Sequence, residues 1–523
     1  MKSPTDAGQE EIIDFLSSPV THGGLPVERI DTHASVIFLA GTRAWKLKRA
    51  VHYEYLDFST LERRRVCCDA EVRLNRRTAP SLYRGITPVT REPDGSLRLG
   101  GGGTPVEWII EMARFNQDDL LDRRATRGCL ELSLMRPLGS AIASFHHDAA
   151  RRPDHGGAAG MSWVVNGNRH EFSADRAGLL EPALRRQVIE ATAVALTRHS
   201  PQLDARRRAG FVRQCHGDLH LRNLVLIDDV PVPFDAVEFN DEIACIDVLY
   251  DLAFLLMDLS SHHLPRHANA VLNGYLAATD DLDGLSLLPL FLSCRAAVRA
   301  KVTLTEASLQ QEAQQRQTLI ERAAGYLDVA LQMLEPPRPC LVAVGGLSGS
   351  GKSSLARALA PGVGVSPGAI VLRSDEIRKR LCGVPDTARL PAEGYASTVS
   401  QRVYATLVEQ AETVVRTGHA ALVDAACLDP ADRSAIEQVA ARASVPFVGV
   451  WLEAPEQVLI DRVTRRTGDA SDADAAVVRG QHQRDTGAIS WHRLDARMDT
   501  NTLVQTAARL PDWTGGFNSA RLD

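Results

Sequence analysis

The sequence predicts two domains of different class: an α+β domain with two lobes over residues 1–335, and a three-layer α/β domain on a mostly parallel sheet over residues 341–523. Three observations predict this. First, 523 residues exceed what one hydrophobic core organises. Second, the apolar run Leu341-Val342-Ala343-Val344-Gly345 leads into Gly346-Leu347-Ser348-Gly349-Ser350-Gly351-Lys352-Ser353-Ser354, with helical spacing behind it. Strand, glycine loop and helix in that order open a parallel α/β unit. Third, Glu335-Pro336-Pro337-Arg338-Pro339 interrupts the chain just upstream, because prolines cannot continue a helix. The linker is therefore placed at 336–340.

Composition narrows the class. With 44% hydrophobic and 24% charged residues the chain is ordinary globular material. Its 59 basic and 65 acidic residues give a net charge of −6, so no global field attracts nucleic acid. Nine cysteines form no C-x-x-C pair and no zinc spacing, which predicts reduced thiols. The first eleven residues lack an apolar signal core, and no run nears the roughly 18 apolar residues of a membrane span. The expected setting is cytoplasmic, with no membrane partner.

In the first domain, a short amphipathic helix is expected at 10–16, and strands at 35–39 and 44–48 around a turn at 40–42. Lys46 and Lys48 alternate onto one face of the second strand. Residues 61–75 have helical spacing and carry Glu71. A hairpin at 86–99 turns at Pro93-Asp94-Gly95, and 100–103 is a glycine connector. The strand at 106–113 precedes the helical region, so it is placed as the hinge between a small lobe (about 20–112) and a helical lobe (about 113–335). Helices are expected at 130–148, 179–198, 203–212, from 247, and at 291–305 and 308–334.

The chemistry-bearing stretch of this domain is His216-Gly217-Asp218-Leu219-His220-Leu221-Arg222-Asn223, with Asp235 on a short β-like segment downstream. An Asp can take the proton of an attacking hydroxyl; an Asn five residues on, with a second Asp, can hold Mg²⁺ on a nucleotide. Protein kinases use this H-x-D-x-x-x-x-N spacing. Such a site also needs a strand lysine on the phosphates and a helical carboxylate to position it. Lys46 with Glu71 fills those places, with Lys48 as the alternative. Asp247 and Asp251 are expected to brace the loop, and His146 and His147 to be structural.

In the second domain, the glycines let backbone N–H groups converge on phosphate at a helix N-terminus. The ATP-binding set is Gly346, Ser348, Gly349, Ser350, Gly351, Lys352, Ser353 and Ser354. Lys352 reaches the β- and γ-phosphates, and Ser353 holds Mg²⁺. A strand at 369–372 ends near Asp375, placed to take a proton from a hydroxyl, and Arg378, placed to bind an anion. The strand at 420–423 ends in Asp424, a position for Mg²⁺ or its water. Arg433, opening the next helix, is a further substrate ligand. Arg462, Arg465 and Arg466 flank a polar loop at 469–474, a lid that closes on the transferring phosphate.

Residues 30–330 resemble the aminoglycoside phosphotransferase-like kinases, on His216-Gly217-Asp218-Leu219-His220-x-x-Asn223, Asp235 and Asp251-Leu252-Ala253. The resemblance implies Asp218 as catalytic residue and Asn223 and Asp235 as metal ligands. Ala236-Val237-Glu238 replaces the usual continuation of Asp-Phe-Gly, and Glu238 is either an added metal ligand or a replacement. Residues 339–510 resemble small P-loop kinases of the polynucleotide-kinase, zeta-toxin and gluconate-kinase type, on 346–353, Ser374-Asp375-x-x-Arg378 and the lid arginines. That implies Asp375 as general base, Arg378 as substrate-phosphate ligand and Arg466 as transition-state stabiliser. Nearly the whole chain is similar to bacterial proteins that fuse the two kinases.

The resemblances imply ATP, or another nucleoside triphosphate, with Mg²⁺ at each site, and transfer of the γ-phosphoryl group to a hydroxyl. The first acceptor is a small molecule. The second is a nucleic-acid 5′-hydroxyl or a phosphorylated or sugar-type molecule, and the basic run Arg373, Arg378, Lys379, Arg380 favours one bearing phosphate. The alternative makes one domain, the first by its departure after Asp235, a nucleotide-binding regulator or scaffold. Oligomeric state stays open.

Overall fold

The computed structural model describes residues 9–53, 55–173, 179–335, 339–386, 388–466, 470–513 and 517–522. The chain forms two compact units. One comprises Met1–Leu134, Ser144–Asn166 and Leu196–Asp258; the other comprises Met135–Ala143, Gly167–Ala195 and Leu259–Asp523.

The first unit carries a six-stranded antiparallel sheet in the order Val27–Asp31, Ser35–Ala40, Arg43–Lys48, Thr104–Ala113, Tyr83–Arg91, Leu97–Leu99. Period-two alternation sends Val36, Phe38 and Leu47 to one face, where they pack with Ile12 and Leu16 of the helix Glu10–Ser17. Leu39 and Ala44 go to the other, against Cys68 and Val72 of the helix Leu61–Asn75. Thr60 caps that helix by accepting from Arg63 N. Its buried positions Cys68, Glu71, Val72 and Asn75 follow i, i+3, i+4, i+7, so Glu71 is carried inward with the apolar residues. A hairpin and a separate antiparallel strand pair frame the motif loop: Leu224–Ile227 with Val230–Pro233, and Val212–Gln214 with Cys245–Asp247.

The second unit carries a five-stranded parallel sheet in the order Ile370–Arg373, Ala421–Asp424, Leu341–Gly346, Phe447–Glu453, His492–Asp495. Val342, Val344, Leu422, Val448 and Val450 fill its core with Leu355 and Leu359 of the helix Lys352–Leu359. Continuous apolar strands of this kind mark a sheet covered on both faces.

The predicted division at 336–340 does not coincide with the compact units: residues 259–335 belong to the same unit as the parallel sheet. The prolines at 336–337 lie outside the described residues, so the linker itself is not described. The grouping has a local cause. Asn269 and Asn273, on the helix Pro265–Thr279, donate to Ala369 O at 3.0 and 3.2 Å, and Val371 N donates to Asn273 Oδ1 at 2.7 Å. These side-chain amides satisfy the outer edge of Ile370–Arg373, which no further strand pairs among the described residues.

Two helical expectations are corrected. Residues 179–198 and 203–212 were expected as separate helices broken near Pro201. Pro182–Ala209 is instead one helix of 28 residues with Pro201 inside it. A proline removes one backbone hydrogen bond, and a long helix with many others survives that loss. The helix Gly157–Ser173 was not expected, because its glycines, serines and asparagines are poor helix formers that tertiary packing overrides. Among the described residues, no helix is long and apolar enough to cross a membrane.

Candidate active sites

In the first unit, the motif loop is braced from below. Asp251, fully buried, accepts from His216 N at 3.0 Å and Gly217 N at 2.9 Å, and its Oδ2 also meets His146 Nε2 at 3.0 Å. Asp258 accepts from Leu221 N. The bracing expected of Asp251 and the structural place expected of His146 are therefore seen. Asp247 does something else: it forms a buried two-point pair with Arg206. Burial lowers the His216 pKa, which keeps its ring neutral against Phe234 O.

Asn223 Nδ2 donates to both Asp218 O and Asp218 Oδ2, each at 2.9 Å, so its amide oxygen faces the other way. Phe234 N donates to Asn223 O across the hairpin, which sets Asp235 beside the loop. Asp235 has a φ of 63°, a left-handed conformation unusual for a residue with a Cβ. Three hydrogen bonds pin the segment: Asp235 N to Tyr83 Oη, Ala236 N to Asn75 Oδ1, and Val237 N to His216 O.

Both candidate lysines meet Glu71. Lys46 Nζ lies 2.8 Å from Glu71 Oε1 and 2.5 Å from Asp235 Oδ1. Lys48 Nζ pairs with Glu71 Oε2 and with Glu238 Oε1, the latter at 2.6 Å. Lys46 is the more exposed of the two and reaches the half-open Asp235, while Lys48 is buried. Burial opposes the charge on Lys46, but Asp235, Glu71 and Glu238 reverse that and raise its pKa well above the ordinary value. Burial likewise opposes the Glu71 carboxylate, and the two lysines hold it down, at about 2. Glu238 is pushed the other way by burial and by Glu71. Its carboxylate is committed to Lys48 inside the protein, not presented as a metal ligand.

In the second unit, the loop after Leu341–Gly346 needs its glycines. A Cβ on Gly346 would stand 2.5 Å from Leu452 O, and one on Gly349 2.6 Å from Leu459 O, at φ values of 132° and 83°. Ser348 N donates to Gln481 Oε1 at 2.8 Å, and Lys352 Nζ to Leu347 O at 2.9 Å. Burial lowers the Lys352 pKa, opposed by the charges of Asp424 and Asp375. Burial raises the Asp375 pKa, with Arg373 opposing and Asp424 reinforcing. Lys352, Asp375 and Asp424 thus sense one another.

The remaining predicted residues are more deeply engaged than the sequence suggests. Arg378 is buried, donates to Gly394 O and Ser400 Oγ, and lies 5.0 Å over the Tyr395 ring. Arg466 donates to Ser471 O and Ala473 O of its own loop. Residues 467–469 of that loop lie outside the described residues. Arg462 points to Ala496 O, and Arg465 is exposed. Arg433 was expected as a substrate ligand. It is 3% exposed, and its guanidinium donates to the carbonyls of Cys427, Leu428, Thr486 and Ala488. In this structure it ties two loops together.

The basic run also disperses, because successive helix residues point about 100° apart. Lys379 pairs with Asp472, Arg380 with Asp280, and Arg373 with Asp424 and Glu376. Most of these partners, like Glu238 for Lys48, are distant in sequence and carry no local signal.

The oxygen sets fit Mg²⁺, a hard cation that prefers carboxylate, hydroxyl and amide oxygens. Ser353 Oγ and Asp424 Oδ2 contact a single guanidinium at 3.0 and 2.9 Å, so one cation spans both.

Comparisons with known proteins follow the same division. Residues 341–486 match the family model described as AAA domain. Over 504 residues the chain is 29% identical to an uncharacterised protein of Mycobacterium tuberculosis (strain ATCC 25618 / H37Rv), covering 95% of this chain and 96% of that one. An adenylyl-sulfate kinase of Myxococcus xanthus (strain DK1622) is 33% identical over 127 residues, 22% of this chain and 59% of that one. Similar solved structures include a choline/ethanolamine kinase family protein from Mesorhizobium loti, 12% identical, covering 63% of this chain and 96% of that one, with a TM-score of 0.38. A gluconokinase from Sinorhizobium meliloti 1021 is 22% identical, covering 33% of this chain and 90% of that one, with a TM-score of 0.24. The AAA-domain match falls on the stretch that carries the glycine loop and the parallel sheet, where the sequence places a P-loop domain, and the two similar structures are of proteins named as kinases.

Proposed function

We propose that the chain is a phosphotransferase with two Mg·ATP sites, each passing the γ-phosphoryl group to a hydroxyl of a small molecule. The observation that carries this reading is that Ser353 Oγ and Asp424 Oδ2 meet on one guanidinium behind the glycine loop, at 3.0 and 2.9 Å, with Lys352 and Asp375 near enough to feel the charge of Asp424. Mg²⁺, when bound by Ser353 and Asp424, neutralises phosphate charge. Lys352 binds the β- and γ-phosphates, and the loop amides of 346–354 cradle them. Asp375 accepts the hydroxyl proton; its raised pKa brings it closer to a useful base at neutral pH. Arg378 and Arg466 act on the acceptor and the transferring group. In the first site, Asp218 is the base, Asn223 and Asp235 hold Mg²⁺, and Lys46, positioned by Glu71, holds phosphate.

A small acceptor is favoured over nucleic acid at the second site. The net charge is −6, and the basic run is consumed in internal pairs. The adenylyl-sulfate kinase likeness over 127 residues points the same way.

A second reading has its own support. Glu238 is paired inside the protein at the point where kinases continue Asp-Phe-Gly, which suits a first site that binds nucleotide without transferring phosphate. Transfer from [γ-³²P]ATP to a panel of hydroxyl compounds, using the full chain with Asp218→Asn or Lys352→Ala, separates the readings. Two enzymes give loss of a different acceptor in each variant. Transfer that survives Asp218→Asn and vanishes in Lys352→Ala makes the first site regulatory. Transfer untouched by Lys352→Ala refutes the P-loop assignment.

A further inference from the structure

The second unit buries a cation that this mechanism does not use. Arg373 ends the edge strand Ile370–Arg373, with its side chain 3% exposed. Its Nε donates to Asp424 Oδ2 at 2.9 Å, its Nη2 to Ser353 Oγ at 3.0 Å, and its Nη1 to Glu376 Oε1 at 2.7 Å. Glu376, one helical turn on, offers its other oxygen to Arg136 Nη2 at 2.7 Å. Arg136 stands in the first turn of the helix Met135–Asp148, far upstream in sequence but within the same unit. The two oxygens assigned to the metal are therefore gripped by one guanidinium, which is itself tied by a carboxylate to a second arginine.

We propose that Arg373 is a positioning residue that keeps Ser353 and Asp424 together and yields them to Mg²⁺, and that Arg136, acting through Glu376, sets how readily it yields. This deepens, and rests on, the Mg·nucleotide reading of the glycine loop. A guanidinium cannot shed its charge, so it accommodates a divalent cation at shared oxygens only by retreating from them. Glu376 is the anion it already touches and so the place to retreat to. Arg136 competes for that same carboxylate. Removing Glu376 takes away the carboxylate that draws Arg373 from the far side and strengthens its hold on the metal oxygens. Removing Arg136 frees Glu376 to draw Arg373 away.

The test is Mg²⁺-dependent binding of a fluorescent N-methylanthraniloyl-ADP to the full chain, taking as the P-loop signal the part lost in Lys352→Ala. Arg373→Gln is expected to lower the Mg²⁺ concentration at half-binding by about threefold or more, by removing a like charge from the metal's neighbourhood. Glu376→Gln is expected to raise it, and Arg136→Gln to lower it by less than Arg373→Gln. Simple structural damage would weaken binding with and without Mg²⁺ alike and would not give shifts of opposite sign. An unchanged or higher midpoint in Arg373→Gln overturns the proposal. Where that variant does not fold, Arg136→Gln, on a partly exposed side chain, decides: a lower midpoint supports the proposal, and an unchanged or higher one overturns it. If Lys352→Ala removes no signal at all, the nucleotide reading fails, and that outcome is distinct from failure of the Arg373 relay.

Discussion

Lys46 and Lys352 have the same proposed task in two unrelated folds, yet their surroundings are opposite. Lys46 lies between Glu71 and Asp235, at 2.8 and 2.5 Å, and those charges raise its pKa well above the ordinary value despite burial. Lys352 is turned onto a backbone carbonyl, and burial lowers its pKa. The first lysine is neutralised in advance by carboxylates of its own fold. The second is a desolvated cation whose charge is poorly compensated until phosphate arrives. At an effective dielectric of about 20, a unit charge pair at 4 Å is worth about 4 kcal/mol, so the difference bears directly on affinity. Nucleotide binding at the glycine loop should lean on its lysine more heavily than binding at the first site leans on Lys46.

The largest expected effect sharpens that contrast. Lys352→Ala should weaken nucleotide binding at the second site by about a hundredfold or more, the loss of a charge-assisted phosphate contact in a buried setting, whereas Lys46→Ala should weaken the first site by clearly less. Isothermal titration of each variant with the ATP analogue AMP-PNP and Mg²⁺ measures both. Equal losses would erase the distinction.

A stability effect comes next. Glu71→Gln removes the buried carboxylate that Lys46 and Lys48 share and leaves each with one partner, Asp235 or Glu238, which should cost about 2 kcal/mol, less than the roughly 3–5 kcal/mol of a fully orphaned buried charge. Urea unfolding followed by a first-unit probe reads it. A loss below about 1 kcal/mol would mean that Asp235 and Glu238 suffice to hold the lysines.

The smallest effect is a pH dependence confined to the second unit. Burial pushes the His419 ring down to about 4 from an ordinary 6.5. The folded state therefore binds this proton less readily than the unfolded chain. The associated stability is fully present above pH 6.5 and is lost as pH falls through 4. Comparing wild type with His419→Gln between pH 7 and 4 checks the sign: the variant should show a shallower acid loss. An identical slope would assign the acid sensitivity elsewhere.

Where chemistry depends on close spacing, the sequence is readable. Asp218 and Asn223 are five apart, and the structure joins them by two hydrogen bonds. The nine residues from Gly346 to Ser354 need no long-range information to be placed as a phosphate loop at the end of a parallel strand. Asp251 as a brace was also legible, from its place on a helix downstream of the motif.

The unreadable parts are long-range and electrostatic. Lys46 and Lys48 share a strand face, and only the folded positions of Asp235 and Glu238 separate a cleft lysine from a buried one. Arg373 reads as one of a basic run, and nothing near it in sequence announces Asp424, Ser353 or Arg136. Arg433 looks like an available helix-start cation until four carbonyls close on it. The grouping of 259–335 with the parallel sheet is unreadable for a related reason. Prolines report a local break in helix, whereas Asn269 and Asn273 join 259–335 to the sheet by side-chain hydrogen bonds that leave no periodic trace.

Two nucleotide sites of contrasting electrostatics are the central claim, and binding stoichiometry tests them most directly. Titration of the full chain with AMP-PNP and Mg²⁺ should give two nucleotides per chain, and one in Lys352→Ala. A single equivalent in the wild type that disappears in Lys352→Ala would contradict the first site, and a stoichiometry unaffected by Lys352→Ala would contradict the second.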